Sequence, residues 1–286
     1  MIEQAWLVVN AFLRGGSFLK TENELLAAAQ RAGIRLRVMT NDAFISADCL
    51  DRRPAAALFF DKDIRLAQRM ETAGMRLYNP ARAIAICDDK TATALAIEEA
   101  GLPQPETILC PKSFPGVGFS DASFLDKVID RLGFPMVVKE GHGSYGNQVY
   151  LSRNKDDLFR LLQGIEHKPL LFQRFISESA GHDLRVYVAG GMAVAAIRRE
   201  NRQGDFRANI EHGGTASAYI PTREEESLAI SACSACGADF AGIDLLVSDG
   251  GPLVCEVNSN AHFTGLAAAT GVNPADDIIR LLRKSL

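Results

Sequence analysis

The sequence predicts an α/β protein that opens with a small parallel-sheet domain and continues as mixed α and β segments. Three observations carry this reading. Short apolar runs alternate with amphipathic segments up to about residue 86, a glycine-rich loop lies between two strands near residue 143, and two apolar runs flank a turn near residue 250.

In the first of these regions the pattern predicts strands over Trp6–Val9, Ile34–Val38 and Ala55–Phe60, with helices over Glu22–Ala32 and Ile64–Ala73. Asn10 to Phe18, with Gly15-Gly16, reads as the loop after the first strand. Such a loop at the carboxyl end of a parallel strand touches ligand in many folds, and it is equally an ordinary turn. Asp88-Asp89-Lys90 opens a helix over Thr91–Ala100, its acids suited to the positive end of the helix dipole. Pro111–Gly118 reads as a loop and Ala122–Leu132 as a helix stopped by Gly133-Phe134-Pro135. Met136–Lys139 and Val149–Leu151 then enclose Gly141-His142-Gly143-Ser144-Tyr145-Gly146-Asn147, a strand, glycine loop and strand that form a flap. Glycines let such a backbone close on a phosphate, and they also make a merely flexible hairpin.

Further on, Leu170–Ile176 is a buried run, and Asp183–Val188 turns at Gly190-Gly191 into Met192–Ile197. Arg198, Arg199, Arg202 and Arg207 follow, with Asn209 close behind; they suit phosphates or a solvated face. Helices over Thr222–Gly237 and Asn273–Leu286 complete the chain.

The turn near residue 250 carries the most chemistry. Gly242–Val247 and Pro252–Val257 flank Ser248-Asp249-Gly250-Gly251, and each run contains one acid. With a three-residue loop at Asp249–Gly251, Asp244 lies opposite Glu256, and the two-residue period puts Asn258 on the same face. Two paired carboxylates on an apolar hairpin are costly without a cation, and two acids plus a carboxamide suit Mg²⁺. A hairpin whose acids face solvent reads the same way.

Composition narrows the field. The 286 residues are 47% hydrophobic and 23% charged, ordinary for a globular protein rather than a disordered one. A net charge of −4 with no long Lys/Arg run argues against nucleic acid as partner. The N-terminal MIEQAWLVVNAF carries an acid where a leader carries positive charge, and no window approaches an uncharged span of about 20 residues. The expectation is a cytoplasmic protein without membrane attachment. Six scattered cysteines do not suggest a disulfide framework, and Cys233-Ser-Ala-Cys236, with no second pair nearby in sequence, reads as buried small side chains.

Six ordered motifs resemble the ATP-grasp superfamily, and most closely the RimK-type carboxylate-amine ligases that add glutamate. They are DDK at Asp88–Lys90, PMVVKEGHGSYG at Pro135–Gly146, HDLR at His182–Arg185, GDFRANIEHGG at Gly204–Gly214, AGIDLL at Ala241–Leu246 and EVNS at Glu256–Ser259. The resemblance runs from about Asp88 to the C-terminus. It implies a pre-grasp domain over residues 1–87, a central subdomain with the flap over 88–169, and a C-terminal subdomain with the metal hairpin over 170–286. ATP then lies in the cleft between the two grasp subdomains. Lys90, Lys139 and the flap residues Gly143, Ser144 and Gly146 approach its phosphates, and Gln173, Arg174 and Phe175 line the adenine pocket. Asp183 meets the ribose side, Arg207 and Asn209 sit at the phosphoryl-transfer centre, and Arg185 and Arg199 lie close by. Asp244, Glu256 and Asn258 hold Mg²⁺, expected as two ions with Mn²⁺ able to substitute.

Three departures bear on the substrate. Arg174 stands where the family commonly has an acid, leaving a backbone contact to adenine. Asn260-Ala261-His262-Phe263 replaces the usual small-residue-and-proline turn, and the N-terminal domain shares only the family's rhythm. The implied partners are ATP, a carboxylate and an amine, the acceptor being a metabolite, a peptide or a protein; a homo-oligomer is compatible with all of this. The implied reaction phosphorylates the carboxylate, and an amine attacks the acyl phosphate. A kinase acting on a hydroxyl and a nucleotide-binding protein without turnover are the rival readings.

Overall fold

The computed structural model describes residues 4–209 and 213–286. The first three residues of the N-terminal reading, and Ile210, Glu211 and His212 of the GDFRANIEHGG motif, lie outside the described residues. The described chain forms three sheets.

The first is the small parallel sheet. It consists of β1 (Gln4–Val9), α1 (Gly16–Arg31), β2 (Arg35–Thr40), β3 (Ala56–Phe60), α2 (Ile64–Thr72) and β4 (Arg76–Tyr78), in the order β2-β1-β3-β4. The two middle strands are continuous apolar runs because both their faces are covered. α1 begins at Gly16, six residues before the expected Glu22, so the loop after β1 is shorter than the sequence suggests. The polar run Lys20–Asn23 hides the helical period, and Glu22 is buried in it because Arg14 donates to both its oxygens, at 2.5 and 3.0 Å. The three-residue β4 gave no usable sequence signal.

α3 (Ala81–Asp88) and α4 (Lys90–Glu99) meet at Asp89, whose side chain accepts from Thr91 N and caps α4. The central sheet follows, with β5 (Thr107–Leu109), α5 (Phe124–Leu132), β6 (Met136–Glu140), β7 (Val149–Ser152), α6 (Lys155–Leu162) and β8 (Leu170–Arg174). Its order is β5-β8-β6-β7. β8, expected to open the C-terminal subdomain at residue 170, is hydrogen-bonded between β5 and β6 and belongs to the central sheet, so the crossing lies after Arg174. Conversely, Cys87 and Ile97, flanking the expected start of the central unit, pack into the core of the third sheet.

That third sheet has the order β11-β10-β9-β12-β13, made from β9 (His182–Ala189), β10 (Met192–Glu200), β11 (Thr215–Tyr219), α7 (Arg223–Ala235), β12 (Phe240–Ser248) and β13 (Gly251–Asn258). α8 (Thr264–Thr270) and α9 (Pro274–Arg283) end the chain. A full capping box between Thr222 and Glu225 starts α7, which packs on the back of this sheet against Leu184, Val186 and Ile243. There Cys87 and Cys236 share one buried core, and the interaction between their thiols, with burial, pushes Cys87 up and holds Cys236 down. The cysteines are thus less scattered than the sequence suggests, although all six are free.

The front of the third sheet divides in two. Tyr187, Ala189, Ile197 and Phe240 form an apolar half that packs on the N-terminal sheet together with α1 and α9. Asp183, Arg199, Asp244 and Glu256 form a polar half that faces the central sheet. Fasteners hold the first half shut. Buried Asn79 donates to the carbonyls of Phe240 and Ser259 at 2.8 and 3.0 Å and accepts from Asp239 N and Phe240 N at 2.6 and 3.1 Å. Asn260 donates to Asp61 O, and His262 pairs with Thr21 at 3.0 Å while Phe18 meets its ring edge-on.

Candidate active site

The polar half of the third sheet and the concave side of the central sheet enclose a cleft of about 780 Å³, counted with the solvent it opens to. One end is an apolar slot between Val137, Val149, Phe175, Ile176 and Leu246. Gln173, Arg174 and Phe175 pass along it where β8 leaves the central sheet. Gln173 is buried and donates to Thr107 Oγ1. The Arg174 side chain turns outward to Glu106 Oε2 at 2.5 Å and Leu132 O at 3.1 Å, so only its backbone faces the slot.

The other end is charged. Asp244 pairs with Glu256 across β12 and β13, and Gly242 pairs with Asn258. The route to that register differs from the expected one: Ser248 pairs with Gly251 around a two-residue turn, and a one-residue bulge between the Leu245–Val254 and Asp244–Glu256 pairs restores the alignment. The extra residue is Cys255.

Asp244 lies between two arginines. Arg185 donates to both its oxygens at 2.7 and 2.8 Å, and Arg199 Nη2 lies 3.0 Å from Oδ2 while also binding Asp183 twice at 2.6 Å. Burial acts to raise the Asp244 carboxyl, but Arg185 and Arg199 outweigh it and hold it at about 2. Burial leaves Asp183 raised, against the pull of Arg199. Asp183, expected beside a ribose, therefore spends both its oxygens on Arg199, although it still borders the cleft. Arg199, expected at the reacting centre, is buried and clamps the two acids together.

The cations converge from three directions. Lys90, at the start of α4, lies 3.3 Å from Glu256 and donates to Gly143 O at 3.1 Å. Lys139, on β6, is buried. Its ammonium donates to Cys255 Sγ at 3.7 Å. Arg207 is held by Asp205 and donates to Gly146 O at 2.8 Å. Asn209 closes the same wall; a Cβ on Gly146 would stand 2.9 Å from its Oδ1. The flap thus meets both Lys90 and Arg207 through backbone carbonyls. Within it, Ser144 N donates to the Gln148 side chain.

Among the described residues no group of three or more His, Cys, Asp and Glu side chains forms a metal cluster; the hairpin reaches three donors through the Asn258 amide. Asn258 Nδ2 faces Gly242 O and Asp244 Oδ2 at 3.4 and 3.5 Å, leaving the amide oxygen its acceptor capacity. Glu256 and the Asn258 amide oxygen are donors that fit a hard divalent cation, and Asp244 Oδ1, which accepts only one bond from Arg185, keeps a lone pair to join them.

A family model described as the RimK-like ATP-grasp domain matches residues 90–282. The chain belongs to that family. It is 34% identical over 226 residues to human N-acetylaspartylglutamate synthase A, covering 78% of this chain and 56% of that protein. It is 33% identical over 219 residues to a probable alpha-L-glutamate ligase of Legionella pneumophila strain Corby, covering 76% and 70%. The chain thus spans little more than half of the human relative. Among solved structures, the ATP-grasp ligase PsnB complexed with a minimal precursor superimposes with a TM-score of 0.74 at 18% identity, over 99% of this chain and all of that one. The three-sheet architecture is therefore that of the ATP-grasp ligases, as the sequence motifs implied.

The sequence reading missed the Cys255 bulge, the fastening role of Asn79 and the Arg199 clamp. The bulge left no signal in the sequence, because Pro252–Cys255 is a continuous apolar run in which the break of alternation at Cys255 cannot be seen.

Proposed function

We propose that this chain is an ATP-dependent ligase that joins a carboxylate to an amine through an acyl phosphate, releasing ADP and phosphate. The observation that carries the reading is the polarity of the cleft. Its apolar slot suits a purine, its cationic middle suits the phosphates, and its far end opposes Asp244 and Glu256 to Lys90.

In this reading the base lies between Val137, Phe175 and Leu246, with the backbone of Arg174 and Phe175 along its edge. Lys90, Lys139 and Arg207 offset the phosphate charge, and Asn209 supplies a neutral donor at the terminal group. Asp244, Glu256 and Asn258 hold magnesium, which when bound neutralises the phosphoryl oxygens and orients them. The carboxylate oxygen attacks the γ-phosphorus, ADP leaves, and the amine displaces phosphate from the acyl carbon with loss of a proton. A shut cleft protects the acyl phosphate from water, which is the task of the flap from Gly141 to Gln148. The carriers of this reading are position and charge, with no covalent enzyme nucleophile.

The names of the two relatives favour glutamate as the amine, and the precursor-bound neighbour favours a peptide among the acceptors. A screen of amino acids against candidate carboxylates, read as phosphate release in Mg²⁺ or Mn²⁺, tests both. Release that requires both partners, strongest with glutamate, is the expected result. ADP formed with a hydroxyl acceptor and no amine, without free phosphate, would replace the ligase reading with a kinase.

A further inference from the structure

We infer that Cys255 is a positioning residue for the nucleotide: its sulfur holds the Lys139 ammonium toward the phosphates while leaving its charge unspent. This rests on the nucleotide reading above and adds a residue to it.

The strand geometry puts the sulfur there. Cys255 is the residue left over between the Leu245–Val254 and Asp244–Glu256 pairs, and a bulge of this kind re-aims a side chain and commonly borders a functional site. Val254 and Val257 are buried in the core behind the sheet. Cys255 instead shares the wall of the cleft with Glu256. Without the bulge the alternation of the strand would carry one of these two residues to the back.

The partner explains why a sulfur suits this position. Lys139 is 7% exposed and borders the same cleft. Its Nζ donates to Cys255 Sγ at 3.7 Å, and none of the ion pairs among the described residues involves it. Lys90 differs, since Glu256 lies 3.3 Å from its ammonium. A carboxylate at position 255 would neutralise Lys139 before any phosphate arrived. An apolar side chain would leave a buried ammonium unsatisfied and free to change rotamer. A thiol is a weak, uncharged acceptor: it orients the ammonium and leaves two N–H groups and the positive charge for an anion.

The experiment measures binding of adenylyl imidodiphosphate with Mg²⁺ by calorimetry, beside thermal melts, on the full chain. Cys255→Val, similar in size but unable to accept, should weaken binding about five-fold, the worth of one modest hydrogen bond, and lower the melting temperature by no more than about 5 °C. Cys255→Ser, which can accept, should recover most of the loss. In a Lys139→Met background Cys255→Val should cost nothing further, because the sulfur acts through the ammonium. Cys255→Ala carries the same comparison where the valine variant fails to fold. Binding by the apolar variant equal to wild type, or a loss that persists without Lys139, would overturn the inference while leaving the nucleotide site standing. Failure of the wild type to bind the nucleotide would overturn both.

Discussion

Glu256→Gln and Asp244→Asn remove equal charge from opposite strands, yet they should damage the protein differently. Glu256 is 27% exposed in its side chain and pairs with Lys90 at 3.3 Å, a partly solvated contact worth about 0.5 kcal/mol. Its loss should move the melting temperature by about 2 °C or less. Asp244 is buried, with Arg185 and Arg199 on both its oxygens. A carboxyl held at about 2 instead of the ordinary 3.8 stabilises the fold by about 2–3 kcal/mol at neutral pH. Asp244→Asn should therefore lower the melting temperature by about 5–10 °C. Because the folded value is the depressed one, that stabilisation is complete above about pH 4 and is lost as pH falls through about 2. The asparagine penalty should shrink over the same window. Both variants should lose the Mg²⁺-ATP effect, which at a hundred-fold excess over Kd adds about 2.7 kcal/mol to wild type. Differential scanning fluorimetry with and without Mg²⁺-ATP reads every one of these quantities. A Glu256→Gln protein that keeps the full ligand-induced shift would refute the metal assignment.

Other predictions concern the frame, the flap and the slot. Asn79→Ala leaves the buried backbone groups of Asp239, Phe240 and Ser259 unpaired and should cost at least about 3 kcal/mol in urea unfolding. Its kcat at a temperature where it remains folded should stay near wild type. Gly143→Val places a side chain against Gln148, and Gly146→Val crowds Arg207 and Asn209, both at positive φ. Each should slow turnover by more than about ten-fold with a smaller effect on melting, and each should abolish the protection of the flap from protease by Mg²⁺-ATP. Arg174→Ala should leave the KM for ATP within about two-fold, since the side chain it removes is turned away from the slot.

Much of the candidate site's arrangement was legible because its residues sit on short ordered motifs. Asp244, Glu256 and Asn258 share a face as the two-residue period requires, and Lys90 and Lys139 reach the same cleft from α4 and β6. The pairing of the two acids was anticipated on a different turn: a two-residue turn and a bulge add up to the same register as a three-residue loop, and periodicity cannot tell them apart. The start of α1 was obscured by Glu22, a buried acid that makes sense only once Arg14 is beside it. Three-residue β4 and β5 lie below the length at which alternation is visible. Long-range partners were beyond any local signal. Cys87 meets Cys236, Arg199 clamps Asp183 to Asp244, and the unusual Asn260–Phe263 turn ties the end of β13 to the N-terminal domain through Asp61 and Thr21.

Group transfer through an acyl phosphate can be followed atom by atom. With both carboxylate oxygens of the acceptor labelled with ¹⁸O, the oxygen that attacks the γ-phosphorus leaves with phosphate when the amine displaces it. Mass spectrometry of the products should find one label in each phosphate released, the other in the amide, and ADP as the nucleotide formed. Unlabelled phosphate, or AMP and pyrophosphate in place of ADP and phosphate, would contradict the proposed ligase chemistry.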